Sequence, residues 1–154
     1  MENADRKKEN IMKTIKVVYW SGTGNTQAMA QAIAEGVEKG EAKADLLDVD
    51  TIKADDLKDD SIFAMGCPAM GDEVLEEGSM EPFMEELESN LSGKQVALFG
   101  SYGWGDGQWM RDWEERVTEK GGKLVEGKGL MCCEEPDDQV LEDCRKLGEK
   151  LAKL

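Results

Sequence analysis

The stretch Tyr19-Trp20-Ser21-Gly22-Thr23-Gly24-Asn25-Thr26 sets the fold of this chain. An apolar segment, 15–19, leads into it, and an Ala-rich segment with helical periodicity leads out of it. A strand, a turn of small residues and a helix form the arrangement by which a parallel sheet presents backbone N–H groups to a phosphate. The turn, 21–26, contains no Lys or Arg, so any phosphate bound there is bound without a cation.

The composition predicts one acidic globular domain in these 154 residues. The net charge is −15, from 19 basic and 34 acidic residues. Such a charge argues against nucleic acid and anionic membrane surfaces as partners and favours basic proteins. No apolar run approaches the roughly 20 residues that a membrane-spanning helix needs. Histidine is absent, which removes the commonest general base and metal ligand, so we expect no metal site.

The cysteines and the first residues bear on location and domain organisation. Cys67, Cys132, Cys133 and Cys144 match no zinc-binding spacing. We expect them to be reduced thiols in a cytoplasmic protein, with a redox dithiol as the alternative. Residues 1–12 are polar, contain no motif and lack the apolar region of a secretory signal. They are expected to be a disordered extension of a single domain, 13–154.

Strand and helix patterns alternate five times along that domain, which predicts an α/β fold with a parallel sheet. The predicted strands are 13–19, 42–49, 62–67, 95–101 and an interrupted 124–132. The first, third and fourth are apolar throughout, whereas the second and fifth contain charged residues. Because buried strands belong in the middle of a sheet and charged ones at its edges, we predict a five-stranded sheet in the order 2-1-3-4-5.

The helices follow from apolar spacing and from capping residues. A helix over 25–39 is predicted directly after the phosphate turn, with Gly40 as its end. Ser79 is expected to cap a second helix, and Asp137 opens the last one. Between them, a helix places two tryptophans, Trp109 and Trp113, on an apolar stripe, so both are expected in the core.

Two further loops also follow buried strands, and all three loops emerge side by side at the carboxyl edge of the predicted sheet. One is Ala69-Met70-Gly71-Asp72-Glu73, and the other is Ser101-Tyr102-Gly103-Trp104-Gly105-Asp106. Trp104 stands between two glycines, where it cannot belong to the core of a helix or strand. A large aromatic side chain displayed in this way favours a flat ligand, the alternative being an exposed Trp with no role.

Taken alone, the phosphate turn is compatible with several classes of nucleotide. A Walker loop needs a Lys before the Ser or Thr, and none is present. A dinucleotide fingerprint needs a third glycine where Gln27 stands, although Asp48 lies near the expected acidic position. Three hydroxyl side chains favour a terminal phosphate monoester over a pyrophosphate or an ordinary tight turn. A phosphate monoester attached to a flat ring describes FMN.

The three motifs at 21–26, 69–73 and 101–106 resemble those of the short-chain bacterial flavodoxins, especially the clostridial type. The resemblance covers 13–154, and the fifth strand has no long inserted loop, as in the short-chain members. It implies a flavodoxin-like three-layer sandwich with bound FMN. One departure is Pro68, where similar proteins often have a Ser, so one phosphate contact is expected to be missing.

The resemblance also implies roles for individual residues. Residues 21–26 would bind the phosphate, Met70 would contact the inner face of the flavin ring, and Trp104 would stack on the outer face. The 71–72 peptide would turn over on reduction, and Glu73 would accept a hydrogen bond from the N3 edge of the ring. The full predicted FMN set is Ser21, Gly22, Thr23, Gly24, Asn25, Thr26, Ala69, Met70, Gly71, Asp72, Glu73, Ser101, Tyr102, Gly103, Trp104 and Gly105.

A block of negative charge surrounds the second loop. Residues 59–93 contain ten acidic side chains and no Lys or Arg. For Asp72 and Glu73 we expect a functional effect, because a carboxylate about 10 Å from an anionic flavin disfavours it by roughly 0.4–1.7 kcal/mol. Together with this charge, the resemblance implies a low-potential, monomeric, non-enzymatic one-electron carrier serving basic redox proteins. One alternative is a small FMN-dependent NAD(P)H quinone or azo reductase on the same fold, and another is a binding module that only senses FMN or a redox partner.

Overall fold

A computed structural model describes residues 13–154, which form a parallel sheet between two layers of helices. The predicted extension, 1–12, lies outside the described residues. The strands are β1 (Thr14–Tyr19), β2 (Lys43–Asp48), β3 (Ile62–Gly66), β4 (Gln95–Tyr102), β5 (Lys123–Leu124) and β6 (Leu130–Cys133). The helices are α1 (Asn25–Lys39), α2 (Met80–Leu87), α3 (Gln108–Glu119) and α4 (Asp138–Lys153).

The strand order confirms the prediction, with one change at an edge. The sheet runs β2-β1-β3-β4-β5, and every pairing is parallel. The predicted fifth strand is two strands, because a 3₁₀ turn at Val125–Gly127 separates β5 from β6. Within this turn Glu126 has a φ of 67°, which continuous strand geometry does not allow. β5 pairs with the start of β4, and β6 pairs with its end along the same edge.

The core consists of two apolar clusters, one on each face of the sheet. Helices α2 and α3 cover one face, where Trp109 and Trp113 are each 1% exposed, as predicted. Helices α1 and α4 cover the other, where Cys144 is buried. Strands β3 and β4 supply side chains to both clusters, which explains their continuous apolar sequences.

The starts of two helices show which capping prediction was right. Asp137 accepts a hydrogen bond from the Val140 N–H at 2.9 Å, as its sequence position predicts. Ser79 precedes α2, but its side chain makes no capping bond, so that prediction was wrong. The Glu76 carboxylate takes this role instead, accepting from the N–H groups of Gly78, Ser79 and Met80 at 2.7, 2.7 and 3.0 Å. A carboxylate is the stronger acceptor and also suits the positive end of the helix.

An ion-pair network joins α2 to α3. The Arg116 guanidinium donates to both oxygens of Glu81, at 2.9 and 2.6 Å, and also to Glu88. The hydrogen bonds to Glu81, with those to Glu88, raise the pKa of Arg116 above its ordinary value. This network fixes the helices that follow the second and third loops. Among residues 13–154, no helix is both long and apolar enough to cross a bilayer.

Candidate functional site

A cleft of about 260 Å³ opens at the carboxyl ends of β1, β3, β4 and β6. The first loop forms one side of it, and the second and third loops form the others. Its walls are made by Trp20, Gly22, Thr23, Asn25, Pro68, Ala69, Met70, Ser101, Tyr102, Gly103 and Glu134. This position, beside the switch point between β1 and β3, is where α/β sheets of this order bind ligands.

The first loop is held by its own hydroxyl groups. Ser21 Oγ accepts hydrogen bonds from the N–H groups of Gly24, at 3.1 Å, and Gln27, at 3.2 Å. Gly24 has a φ of 98°, a conformation that glycine adopts without strain, and α1 begins at the next residue. The backbone N–H groups at the start of α1 are therefore gathered at one end of the cleft, where an anion is favoured.

Thr26 is placed differently from the rest of the first loop. It is 1% exposed, and its hydroxyl lies 2.9 Å from the buried hydroxyl of Ser101 at the end of β4. The Ser101 N–H also donates to Thr26 Oγ1 at 3.4 Å. The pair therefore ties the first turn of α1 to the third loop, so Thr26 contributes to the site mainly by holding two of its walls together.

The second loop forms a closed turn, which we call the inner turn (residues 69–74). Two backbone hydrogen bonds between Met70 and Val74, at 2.9 and 3.0 Å, close it. Gly71 and Glu73 both have positive φ, at 48° and 58°. Gly71 adopts this conformation readily, and an added Cβ there would meet no atom within 4 Å. The turn therefore has open space at Gly71, beside the Met70 wall of the cleft.

The third loop, which we call the outer loop (residues 102–107), displays Trp104. This side chain is 64% exposed, in contrast to the buried Trp109 a few residues later. The Trp109 indole N–H donates to the Cys67 carbonyl at 3.0 Å, and its ring lies 5.5 Å from that of Tyr102. The base of the outer loop is thus attached to the end of β3, while Trp104 itself stays available for contact.

The buried cysteines contribute packing rather than reactivity. Burial raises the pKa of Cys67 and of Cys144 to about 12, so both remain thiols at neutral pH. The Cys67 sulfur accepts from the Glu76 N–H at 3.4 Å, which helps to hold the segment after the inner turn. Cys132 is buried and Cys133 exposed, because they point to opposite sides of β6.

The structure brings half of the sixteen predicted residues to the cleft wall: Gly22, Thr23, Asn25, Ala69, Met70, Ser101, Tyr102 and Gly103. The other eight lie in the same three loops but do not line the cleft: Ser21, Gly24, Thr26, Gly71, Asp72, Glu73, Trp104 and Gly105. Three wall residues were outside the predicted set, namely Trp20, Pro68 and Glu134. Trp20 and Pro68 directly flank the predicted loops, whereas Glu134 gives no local sequence signal.

Glu134 is placed at the cleft by β6, which is the second part of the interrupted strand predicted at 124–132. It directly follows β6, and its N–H donates to the Tyr102 carbonyl at 2.7 Å. Its φ of 61° is uncommon for a residue with a side chain. Among the described wall residues, Glu134 alone has a charged side chain.

The cleft suits a phosphate monoester joined to a flat ring. One end gathers N–H and hydroxyl groups at the start of α1, and the other is bounded by Met70 and Tyr102. Its volume of about 260 Å³ lies close to the lower end of the range for small-molecule sites, roughly 300 Å³.

Comparison with known proteins identifies the family. The family model for flavodoxin matches residues 17–148. The chain belongs to the flavodoxin family. It is 49% identical to a flavodoxin of Clostridium beijerinckii, over 91% of this chain and 100% of that one. It is 44% identical to a flavodoxin of Megasphaera elsdenii, over 90% of this chain and 98% of that one.

A solved structure agrees with this assignment. The solution structure of two-electron reduced Megasphaera elsdenii flavodoxin matches with a TM-score of 0.82 and 41% identity, over 91% of this chain and 99% of that one. Flavodoxins bind FMN and transfer electrons, and they are not enzymes. Family membership therefore favours the carrier over the reductase that the sequence left open.

Replacing Glu134 with Gln is expected to tighten FMN binding about threefold. At about 10 Å in water a pair of unit charges is worth roughly 0.4 kcal/mol, and a phosphate has a charge of roughly −1.5 to −2. Removing the charge of Glu134 relieves this repulsion and keeps an acceptor oxygen. Titration with FMN and with riboflavin, which has no phosphate, measures the effect. Riboflavin affinity should stay the same, and Glu135→Gln, a neighbouring change away from the wall, should give a smaller gain in FMN affinity than Glu134→Gln. A riboflavin gain equal to that for FMN would contradict this account.

Proposed function

We propose that this flavodoxin is a low-potential one-electron carrier that binds FMN in the cleft between its three loops. One observation supports this most strongly. A first loop with neutral donors, the inner turn and the outer loop with its displayed Trp104 all meet at one edge of the sheet. FMN supplies the one-electron chemistry when bound, and the protein supplies binding, orientation and charge.

The proposed contacts divide the cleft into a phosphate end and a ring end. Residues 21–26 bind the phosphate through backbone N–H groups and hydroxyls, with Thr26 supporting them from its buried pair with Ser101. Met70 and Trp104 take the two faces of the ring. The remaining proposed FMN residues are Ala69, Gly71, Asp72, Glu73, Tyr102, Gly103 and Gly105, to which the geometry adds Trp20 and Glu134.

The potential is set by charge around the ring. The first loop has no cation to offset the phosphate, and Asp72 stands exposed at the tip of the inner turn. Each of these negative charges disfavours the addition of negative charge to the flavin ring. The protein therefore disfavours the fully reduced, anionic ring and favours a strongly reducing carrier.

The partners follow from the same charge. With a net charge of −15 and an acidic rim at the inner turn, the chain suits basic reductases and acceptors, whose encounter is accelerated by opposite charge. We propose that it acts as a monomer in the cytoplasm, where its free thiols stay reduced.

Rapid mixing of the FMN-loaded protein with NADPH separates the carrier from the reductase. A carrier should show no reduction on the timescale of seconds without a partner reductase and rapid reduction once one is added. Fast two-electron reduction by NADPH alone would contradict the proposal. The FMN content after reconstitution, measured by absorbance, keeps a failure to bind FMN distinct from a failure to react.

A further inference from the structure

The Glu73 side chain connects the inner turn to the outer loop. Its Oε1 atom accepts hydrogen bonds from the N–H groups of Gly107, at 3.2 Å, and Gln108, at 3.0 Å. These groups lie at the start of α3, where the helix itself supplies no acceptor. Glu73 is therefore the cap of a helix that begins 35 residues later in the chain.

Gly105 makes this contact possible. A Cβ atom at this position would lie 2.6 Å from both Cδ and Oε1 of Glu73, so the Glu73 carboxylate would have to move to admit it. The outer loop thus folds directly over the Glu73 carboxylate. A glycine at position 105 therefore leaves the room that the Glu73 side chain occupies.

The backbone of Glu73 indicates that the contact is under constraint. Its φ of 58° is left-handed, a conformation that a residue with a side chain adopts at a cost. The paired hydrogen bonds between Met70 and Val74 hold it there from one side. The N–H groups of Gly107, in the outer loop, and of Gln108, at the start of α3, hold its side chain from the other.

We propose that Glu73 is a positioning residue, a latch that fixes the spacing of the inner turn and the outer loop before FMN binds. The functional importance of this spacing rests on the proposed function, because Met70 lies in the inner turn and Trp104 lies in the outer loop. Oε2 of Glu73 makes no hydrogen bond to any of the described residues, so it stays available to an N–H on the edge of a ring ligand. One carboxylate can thus cap α3 and contact the ligand at the same time.

The latch should act on affinity through pre-organisation. If the loops occupy the binding geometry only part of the time, the apparent dissociation constant rises by the inverse of that fraction. Losing the latch is therefore expected to weaken FMN and riboflavin by the same factor, since both have the ring. A contact made only to the phosphate would weaken FMN alone.

The test is hydrogen exchange at the amides of Gly107 and Gln108 in the FMN-free protein. Glu73→Ala removes the acceptor, so both amides should exchange about tenfold faster or more, as expected for loss of a charge-assisted hydrogen bond. Glu73→Gln keeps an acceptor oxygen and should restore most of the protection. Glu77→Ala is the matched control, because Glu77 is exposed and close in sequence, and its exchange pattern should equal that of the unmodified protein.

Gly105→Ala is a second way to disturb the contact between Glu73 and the start of α3, and it keeps the Glu73 carboxylate. The new Cβ should displace Glu73 and speed exchange at the same two amides. Gly105 also has a φ of 85°, where Ala strains the loop by itself, so the same change in the Glu73→Ala background should have a smaller further effect than in the unmodified protein. Unchanged protection of Gly107 and Gln108 in both Glu73→Ala and Gly105→Ala would overturn the proposal. Because the readout needs no FMN, a failure of the proposed function would leave this result intact, and the reverse also holds.

Discussion

Replacing Trp104 with Ala is expected to weaken FMN binding roughly 5- to 150-fold, because stacking of a flat base on an aromatic side chain is worth about 1–3 kcal/mol. The side chain is 64% exposed and belongs to neither apolar cluster, so its removal should leave the fold unchanged. The loss should be the same for riboflavin, since Trp104 is proposed to contact only the ring.

Quenching of flavin fluorescence on titration measures both affinities. Trp104→Phe keeps an aromatic face and should recover most of the lost affinity. Thermal unfolding of the FMN-free variants serves as the control, and the midpoints should coincide. FMN binding by Trp104→Ala as tight as that of the unmodified protein would show that the ring is not covered by this residue.

Neutralising Asp72 and Glu77 together is expected to raise the potential of the second one-electron step by roughly 40–140 mV. The range follows from about 0.4–1.7 kcal/mol per charge at about 10 Å and from 59 mV for each tenfold change. Both carboxylates are exposed, and neither makes a hydrogen bond within the described residues. Asp72→Asn with Glu77→Gln therefore changes charge with little effect on structure.

The structure decides which acidic residues can be used for this test. Glu73 and Glu76 also belong to the acidic block 59–93, but they cap α3 and α2 through backbone N–H groups. Neutralising Glu73 and Glu76 would disturb the structure of both loops as well as the electrostatic potential at the flavin. Glu119→Gln removes one charge at the far end of α3, about 17 Å along the helix from its start, and should shift the potential much less. A double variant with an unchanged second potential would contradict the electrostatic account.

Much of the fold could be predicted because local patterns and burial agree. The bounds of α1, at residues 25–39, follow from the glycine turn before it and the glycine after it. The order of the strands follows from their composition, because the strands with charged residues belong at the edges of the sheet and the apolar strands belong in its middle. The charged and glycine residues at 126–129 predicted the interruption between β5 and β6. They did not predict that the two short strands would share one edge of β4.

The parts of the site that could not be predicted all depend on contacts between distant segments. Ser79 has the composition of a cap, yet Glu76 reaches the same N–H groups. Glu73 caps a helix in another segment, and no local pattern encodes that pairing. Glu134 enters the cleft only because β6 pairs with the end of β4. Side chains that bridge separate loops become visible only when the sheet places these loops together.

As a one-electron carrier, this flavodoxin is expected to reduce its bound FMN in two separate one-electron steps. A spectroelectrochemical titration of the FMN-loaded protein tests it most directly. The account predicts two resolved steps, with the one-electron-reduced flavin accumulating between them and a second potential well below that of free FMN. A single two-electron transition without that species would contradict it.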